Sequence, residues 1–194
     1  MNPRVLITGF GPFGAERLNP SGLVARRCGG LMLPVAAEEA WAMTRDEMRC
    51  RGATAVLALG VAGGRDRICV EKVAVNELAY SLADDDGRVL VGPVDGKVAD
   101  RALGTLMPAA AVARAIRGVG VPARVSRDAG RFVCNHFYYL LLQHLGGRAV
   151  FLHLPRLPEE AARLGGGPSL SLDQVERAVQ ASLRLMARSL KMAG

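Results

Sequence analysis

Few aromatics, few lysines and few histidines mark this chain of 194 residues. Aromatic residues make up 5% of it, and only three lysines occur, Lys72, Lys97 and Lys191. The formal net charge of +7 therefore comes almost wholly from arginine. Those arginines are scattered and not interleaved with aromatics, so the footprint of a nucleic-acid binder is missing and no nucleic-acid partner is expected. No apolar run reaches the roughly 20 residues that a membrane span needs, which argues against a membrane partner. The start, MNPRVLITGFGPFG, is broken by Gly and Pro and has no long apolar stretch of a secretory signal. A cytoplasmic protein is expected. The four cysteines, Cys28, Cys50, Cys69 and Cys134, form no CxxC and no metal-ligand spacing, so free thiols and neither a metal nor another cofactor are expected.

What is present orders itself around Ser126 to Leu142, SRDAGRFVCNHFYYLLL. A turn-rich approach passes into an apolar run long enough for a buried helix, with Cys134 in its first turn. Unpaired N–H groups and the positive end of the dipole favour a thiolate there, and reactive cysteines are found at such places. The plainer reading is a small buried hydrophobe, the fate of most free cysteines. A thiol with a pKa near 8.5 is only about 3% ionised at pH 7, and lowering that pKa by about two units takes roughly 2.7 kcal/mol. A helix terminus supplies about 0.3–1 kcal/mol, up to about 2. The helix alone falls short, so an imidazolium beside Cys134 is expected.

Elsewhere, short apolar runs end in glycine-rich loops and alternate with helical segments. Strands are expected at 4–9, 32–35, 54–59, 67–76, 122–126 and 148–154. Helices are expected from Asn19, an N-cap followed by Pro20, to about Cys28, and at 37–51, 108–117 and 170–192. Asp84 to Thr105 reads as a polar loop opened by a solvated Asp-Asp-Asp-Gly turn. The alternation predicts one domain of α/β class, a three-layer α/β/α sandwich around a mostly parallel mixed sheet. Loops at the carboxyl ends of such strands are where ligands bind, which singles out GFGPFG and GVAGGR. Phe10 and Phe13 are either core residues or the walls of an apolar pocket. Glu71, in the middle of an apolar strand, needs a partner. Its position alone slightly favours a solvent-facing or structural role over orienting a histidine.

Of the three histidines, His144 is too far along the helix to serve Cys134, and His136 lies on a different face from it. His153 ends a strand at the edge where the Cys134 helix is expected to begin. Cys134, His153 and Glu71 then supply a nucleophile, a base and an orienter.

The motifs ITGFGPFG with LNPS, GVAGGR, VEKVAVN, DDDG, SRDAGRFVCNHFYYLL, FLHLPRLP and PSLSLD occur in an order and spacing that resembles the pyroglutamyl-peptidase I family of cysteine peptidases. The resemblance covers most of the chain. It implies a cytosolic phosphorylase/hydrolase-like α/β/α enzyme that removes an N-terminal pyroglutamyl residue from peptides through a thioester, and a homo-oligomer. By the same resemblance Cys134 matches the nucleophile, His153 the base and Glu71 the third triad member. Phe10 and Phe13 match the aromatics that hold the pyrrolidone ring, with Asn19, Val61 and Val133 as further substrate-binding positions. The chain departs from the family pattern in three places. Ser81 stands where an arginine is usual, the segments before TAVLALG and after DDDG are shorter, and Arg131 replaces a small or neutral residue. Arg131 or Arg88 is expected to make up part of the missing charge near the oxyanion. Hydrolysis of another small acyl amide, or ligand binding without catalysis, are the competing functions.

Overall fold

The computed structural model describes residues 4–97 and 102–192. In chain order the elements are β1 Arg4–Phe10, α1 Pro20–Arg27, β2 Leu31–Leu33, α2 Ala37–Arg51, β3 Ala53–Val61, β4 Ile68–Glu71, β5 Val73–Val75 and β6 Leu78–Ala79. They continue with β7 Val91–Gly92, β8 Ala102–Gly104, α3 Ala109–Gly118, β9 Ala123–Ser126, α4 Val133–His144, β10 Ala149–Leu154, α5 Pro158–Arg163 and α6 Leu172–Met192.

Six strands form one sheet in the order β2-β1-β3-β10-β4-β9. Every neighbouring pair is parallel except β10–β4. Strands with helices on both faces must be apolar on both faces, and β10 is buried along its whole length. Successive side chains of β3 feed two cores. Leu57 and Leu59 join the core with Val112 and Ile116 of α3 and Val175 and Val179 of α6. Val56 and Ala58 join the core with Ala40 of α2 and Phe137 and Leu141 of α4. This is the expected α/β/α sandwich, and burying each such Leu or Val contributes roughly 1.5–3 kcal/mol, making the central strands a stiff platform.

Local chemistry sets the helix boundaries. The Asn19 side chain accepts from the Ser21 N–H ahead of Pro20, as its N-cap position predicts. Ser171 and Gln174 cap α6 reciprocally, each side chain accepting the other's backbone N–H.

Three readings change. The single strand expected over 67–76 divides at Lys72, because its apolar positions change parity there: β4 stays in the main sheet, whereas β5 pairs antiparallel with β8 in a separate ribbon. The expected polar loop Asp84 to Thr105 contains β7 and β8, and its residues 98–101 lie outside the described residues. The Asp84 turn is also more than a solvated bend, since Asp84 is buried and accepts the Asp86 and Arg88 N–H groups. The short helix α5 and strand β6 had no clear pattern in the sequence.

The order of strands alters one premise of the site. β9 runs with β4 and therefore against β10. The carboxyl end of β9 thus lies away from His153, and the approach 127–132 returns the chain to the other edge. What brings Cys134 and His153 to one edge is the hairpin of α4 with β10. Gly146 and Gly147 take positive φ of 54° and 78° in that turn, where a side chain would be strained.

Candidate active site

Cys134 is the second residue of α4, whose N-cap Phe132 is extended and makes no side-chain cap bond. The first-turn N–H groups therefore face the strand edge without a capping oxygen. The sulfur packs against Gly60, near the end of β3. A Cβ built on Gly60 would lie 2.9 Å from Cys134 Sγ and 2.8 Å from the Phe151 ring. Gly60 is in register with His153 on β10, so backbone without a side chain lets the thiol settle beside the imidazole's strand. Gly60→Ala is expected to displace Cys134, lowering kcat about 100-fold and stability by about 1–3 kcal/mol through overpacking. Steady-state kinetics and thermal melts of the variant check both numbers.

The His153 Nδ1–H donates to Glu71 Oε1 at 2.8 Å. A carboxylate only accepts, so this bond puts the proton on Nδ1 and leaves Nε2 as the basic nitrogen. Glu71 is fully buried, and it neither faces solvent nor pairs with neighbouring Lys72. The same Oε1 accepts from Arg65 Nη1 at 2.6 Å, while Tyr138 donates its hydroxyl to the Glu71 carbonyl at 2.9 Å. The structure thus gives Glu71 both a structural ion pair, with Arg65, and the histidine-orienting position that its sequence context made the less favoured reading.

Burial works against the expected thiolate–imidazolium pair at both members. Burial pushes the Cys134 thiol up to about 12, with Glu71 adding to the rise and Arg65 opposing it. Burial pulls His153 below its ordinary value, against the pull of the Glu71 hydrogen bond. At Cys134 desolvation, worth up to several pKa units, outweighs the helix terminus.

A cavity of about 510 Å³ opens at Cys134. Phe10, Phe13, Asn19, Val61 and Val133 all line it, together with Phe132, which the sequence reading missed. Phe10 is both things its sequence left open: it packs edge-on against Phe137 in the core and shows a face to the cavity. Phe13 is half-buried, 5.5 Å from Phe132 between ring centroids. Asn19 ties down the loop between them, donating Nδ2–H to the Gly11 carbonyl at 2.8 Å. Glu16 and Arg156 form an ion pair of 3.0 Å in the wall.

The arginines expected near the oxyanion are held elsewhere. Arg88 pairs with Glu38 and Asp86, and Arg131 with Glu77 and Asp128; neither lines the cavity. Arg88 also lies 3.5 Å from the buried Asp84, and these carboxylates hold both guanidiniums away from the cavity. Ser81 is exposed. The cation that reaches the buried histidine–carboxylate pair is Arg65, inside GVAGGR, where the loop had been noted but not the side chain. His136 bonds Tyr80 and His144 stacks on Trp41, so neither joins the site.

The sequence pattern of the family described as pyroglutamyl peptidase matches residues 3–189. The chain belongs to that family. It is 39% identical to the pyrrolidone-carboxylate peptidase of Escherichia fergusonii, over 92% of this chain and 90% of that one. The pyrrolidone-carboxylate peptidase of Gloeobacter violaceus is 37% identical, with 94% and 96% covered. Among solved structures, pyroglutamyl peptidase I of Bacillus amyloliquefaciens superposes with a TM-score of 0.88 at 32% identity, covering 95% of this chain and 96% of that one. The pyrrolidone carboxyl peptidase of Thermococcus litoralis gives 0.89 at 26%, with 98% and 96% covered. As in these pyroglutamyl peptidases, the fold is a mixed, mostly parallel sheet between helices.

Proposed function

We propose that this member of the pyroglutamyl peptidase family hydrolyses the amide bond that follows an N-terminal pyroglutamyl residue, with Cys134 as nucleophile, His153 as base and Glu71 as the group that orients His153. The observation that carries this reading is the buried His153–Glu71 pair behind an apolar cavity that Cys134 lines. His153 Nε2 takes the thiol proton as Sγ attacks the acyl carbonyl, so no standing thiolate is needed. The backbone N–H of Cys134, in the first turn of α4, is the oxyanion donor. His153 then returns the proton to the leaving amine, and the shortened peptide departs from a thioester on Cys134. Water, deprotonated by the same Nε2, releases pyroglutamate and restores the thiol. Four free thiols and this chemistry suit a reducing compartment such as the cytoplasm.

The substrate class follows from charge. A pyroglutamyl group is a neutral lactam, whereas an ordinary N-terminus carries an ammonium. The cavity walls are mainly apolar, with Phe, Val and Leu side chains, and its carboxylate, Glu16, is neutralised by Arg156. Nothing there compensates an ammonium, so a free amine is excluded by desolvation. With coumarin amides as substrates, kcat/KM for pyroglutamyl is expected to exceed that for prolyl about 1000-fold or more, since the two differ by one oxygen and one charge. Comparable values for acetyl and pyroglutamyl amides would instead indicate a broader acyl-amide hydrolase.

A further inference from the structure

Arg65 bridges the two halves of the site. One nitrogen, Nη1, bonds the Glu71 oxygen that also receives His153; the other, Nη2, donates to the Asp128 carbonyl at 2.7 Å, six residues before Cys134. The first bond fixes the carboxylate at the end of β4, and the second fixes the approach to α4. β9 ends away from the His153 edge, so the loop 127–132 must be held as it returns. The Arg65 side chain is 21% exposed and lies outside the cavity lining.

We propose that Arg65 is a positioning residue of the hydrolytic site, a cation that locks Glu71 to the approach of the Cys134 helix and sets the charge balance of the Cys134–His153 pair. This rests on the assignment of those three residues above. The bidentate fork is suited to spanning a carboxylate and a carbonyl at once, which a lysine does only as a point charge. Because Ser81 carries no charge, and Arg88 and Arg131 are held by carboxylates away from the cavity, Arg65 carries this charge.

The groups facing the pair are Glu71 from β4, Arg65 from the β3–β4 loop with Cys69 beside it, Asp128 from the approach to α4, Glu16 from the loop after β1, and Tyr80 after β6. Glu71 favours the protonated forms of both thiol and imidazole. Arg65 opposes it at both, lowering Cys134 and His153 alike. Removing the cation must therefore raise both pKa values.

The test is the pH dependence of iodoacetamide alkylation at Cys134, followed by peptide mass spectrometry in wild type, Arg65→Met and Arg65→Lys. Arg65→Met is expected to shift the rate–pH line of Cys134 up by about one pH unit or more, read as about tenfold slower alkylation at a fixed pH, the size of a close charge effect. It should also lower kcat on a pyroglutamyl amide about 10- to 100-fold, with KM within about twofold because Arg65 does not line the cavity. Arg65→Lys should return at least half of the pH shift and part of the kcat. An Arg65→Met profile that superimposes on wild type, or an Arg65→Lys no better than Arg65→Met in both readouts, overturns the proposal. Should Arg65→Met not fold, Arg65→Gln keeps a donor for Asp128 without the charge and takes its place. Alkylation is read at the thiol itself, so a wild type inert towards pyroglutamyl amides would sink the functional reading and still leave this one decided.

Discussion

Cys134→Ser is expected to lower kcat/KM for a pyroglutamyl amide by about 10⁴-fold or more, while the melting temperature changes little. The loss of about 5 kcal/mol of transition-state stabilisation follows from exchanging a soft, acidic nucleophile for a hydroxyl that His153 deprotonates poorly. The stability expectation follows from size: Ser occupies nearly the same volume, and Cys134 keeps a face towards the cavity. Iodoacetamide should abolish wild-type turnover for the same reason. Cys28 and Cys50 are also accessible, but both lie outside the cavity lining, so their alkylation should leave activity in place. Kinetics alongside a thermal melt separate a chemical loss from a folding one.

Glu71→Gln is the second large effect, about 10³- to 10⁴-fold in kcat, comparable with removing the buried carboxylate of other triads. Three things fail together. The amide carries no charge to stabilise the imidazolium that forms as Cys134 attacks. Its NH₂ group can turn towards Nδ1 and hold the tautomer whose proton sits on Nε2, where the base should be free. Arg65 loses its buried counter-charge at 2.6 Å. The pH profile gives a sign that a general loss of structure would not. Glu71 raises His153, and burial already holds His153 below its ordinary value. Without the carboxylate His153 falls further, so the acid limb of kcat/KM should move to lower pH even as its plateau drops. A limb that moves to higher pH would show that Glu71 does not support the imidazole.

Much of this arrangement was legible in the residues because local chemistry set it. β1, β3 and β10 are apolar runs closed by glycine or proline, and sheets with helices on both faces require such runs. α1 begins just after its N-cap Asn19 and α2 spans the anticipated 37–51, since caps and glycine stops act within a few residues. Short paired ribbons were not legible: β6, β7 and β8 are two or three residues each, and they and the pairing of β5 depend on partners distant in sequence. The direction of β9 against β10 was hidden for the same reason, because pairing is a tertiary choice. In the candidate site, Cys134, His153 and Glu71 could be named from residue type and position, and the resemblance of the motifs assigned them roles. Their protonation could not be named, because desolvation depends on how Gly60 and Phe151 close around the thiol. Arg65 was passed over since a lone arginine in a glycine loop has no pattern. Its two bonds exist only once Glu71 and Asp128 are brought together.

The proposed hydrolysis passes through an acyl group carried by Cys134. Rapid acid quenching of wild type with excess pyroglutamyl amide, followed by proteolysis and mass spectrometry, tests it most directly. One pyroglutamyl group on the peptide containing Cys134, released by hydroxylamine and missing from Cys134→Ala, is the expected result. Turnover by Cys134→Ala at the wild-type rate, or the acyl group found on a peptide other than that of Cys134, would contradict it.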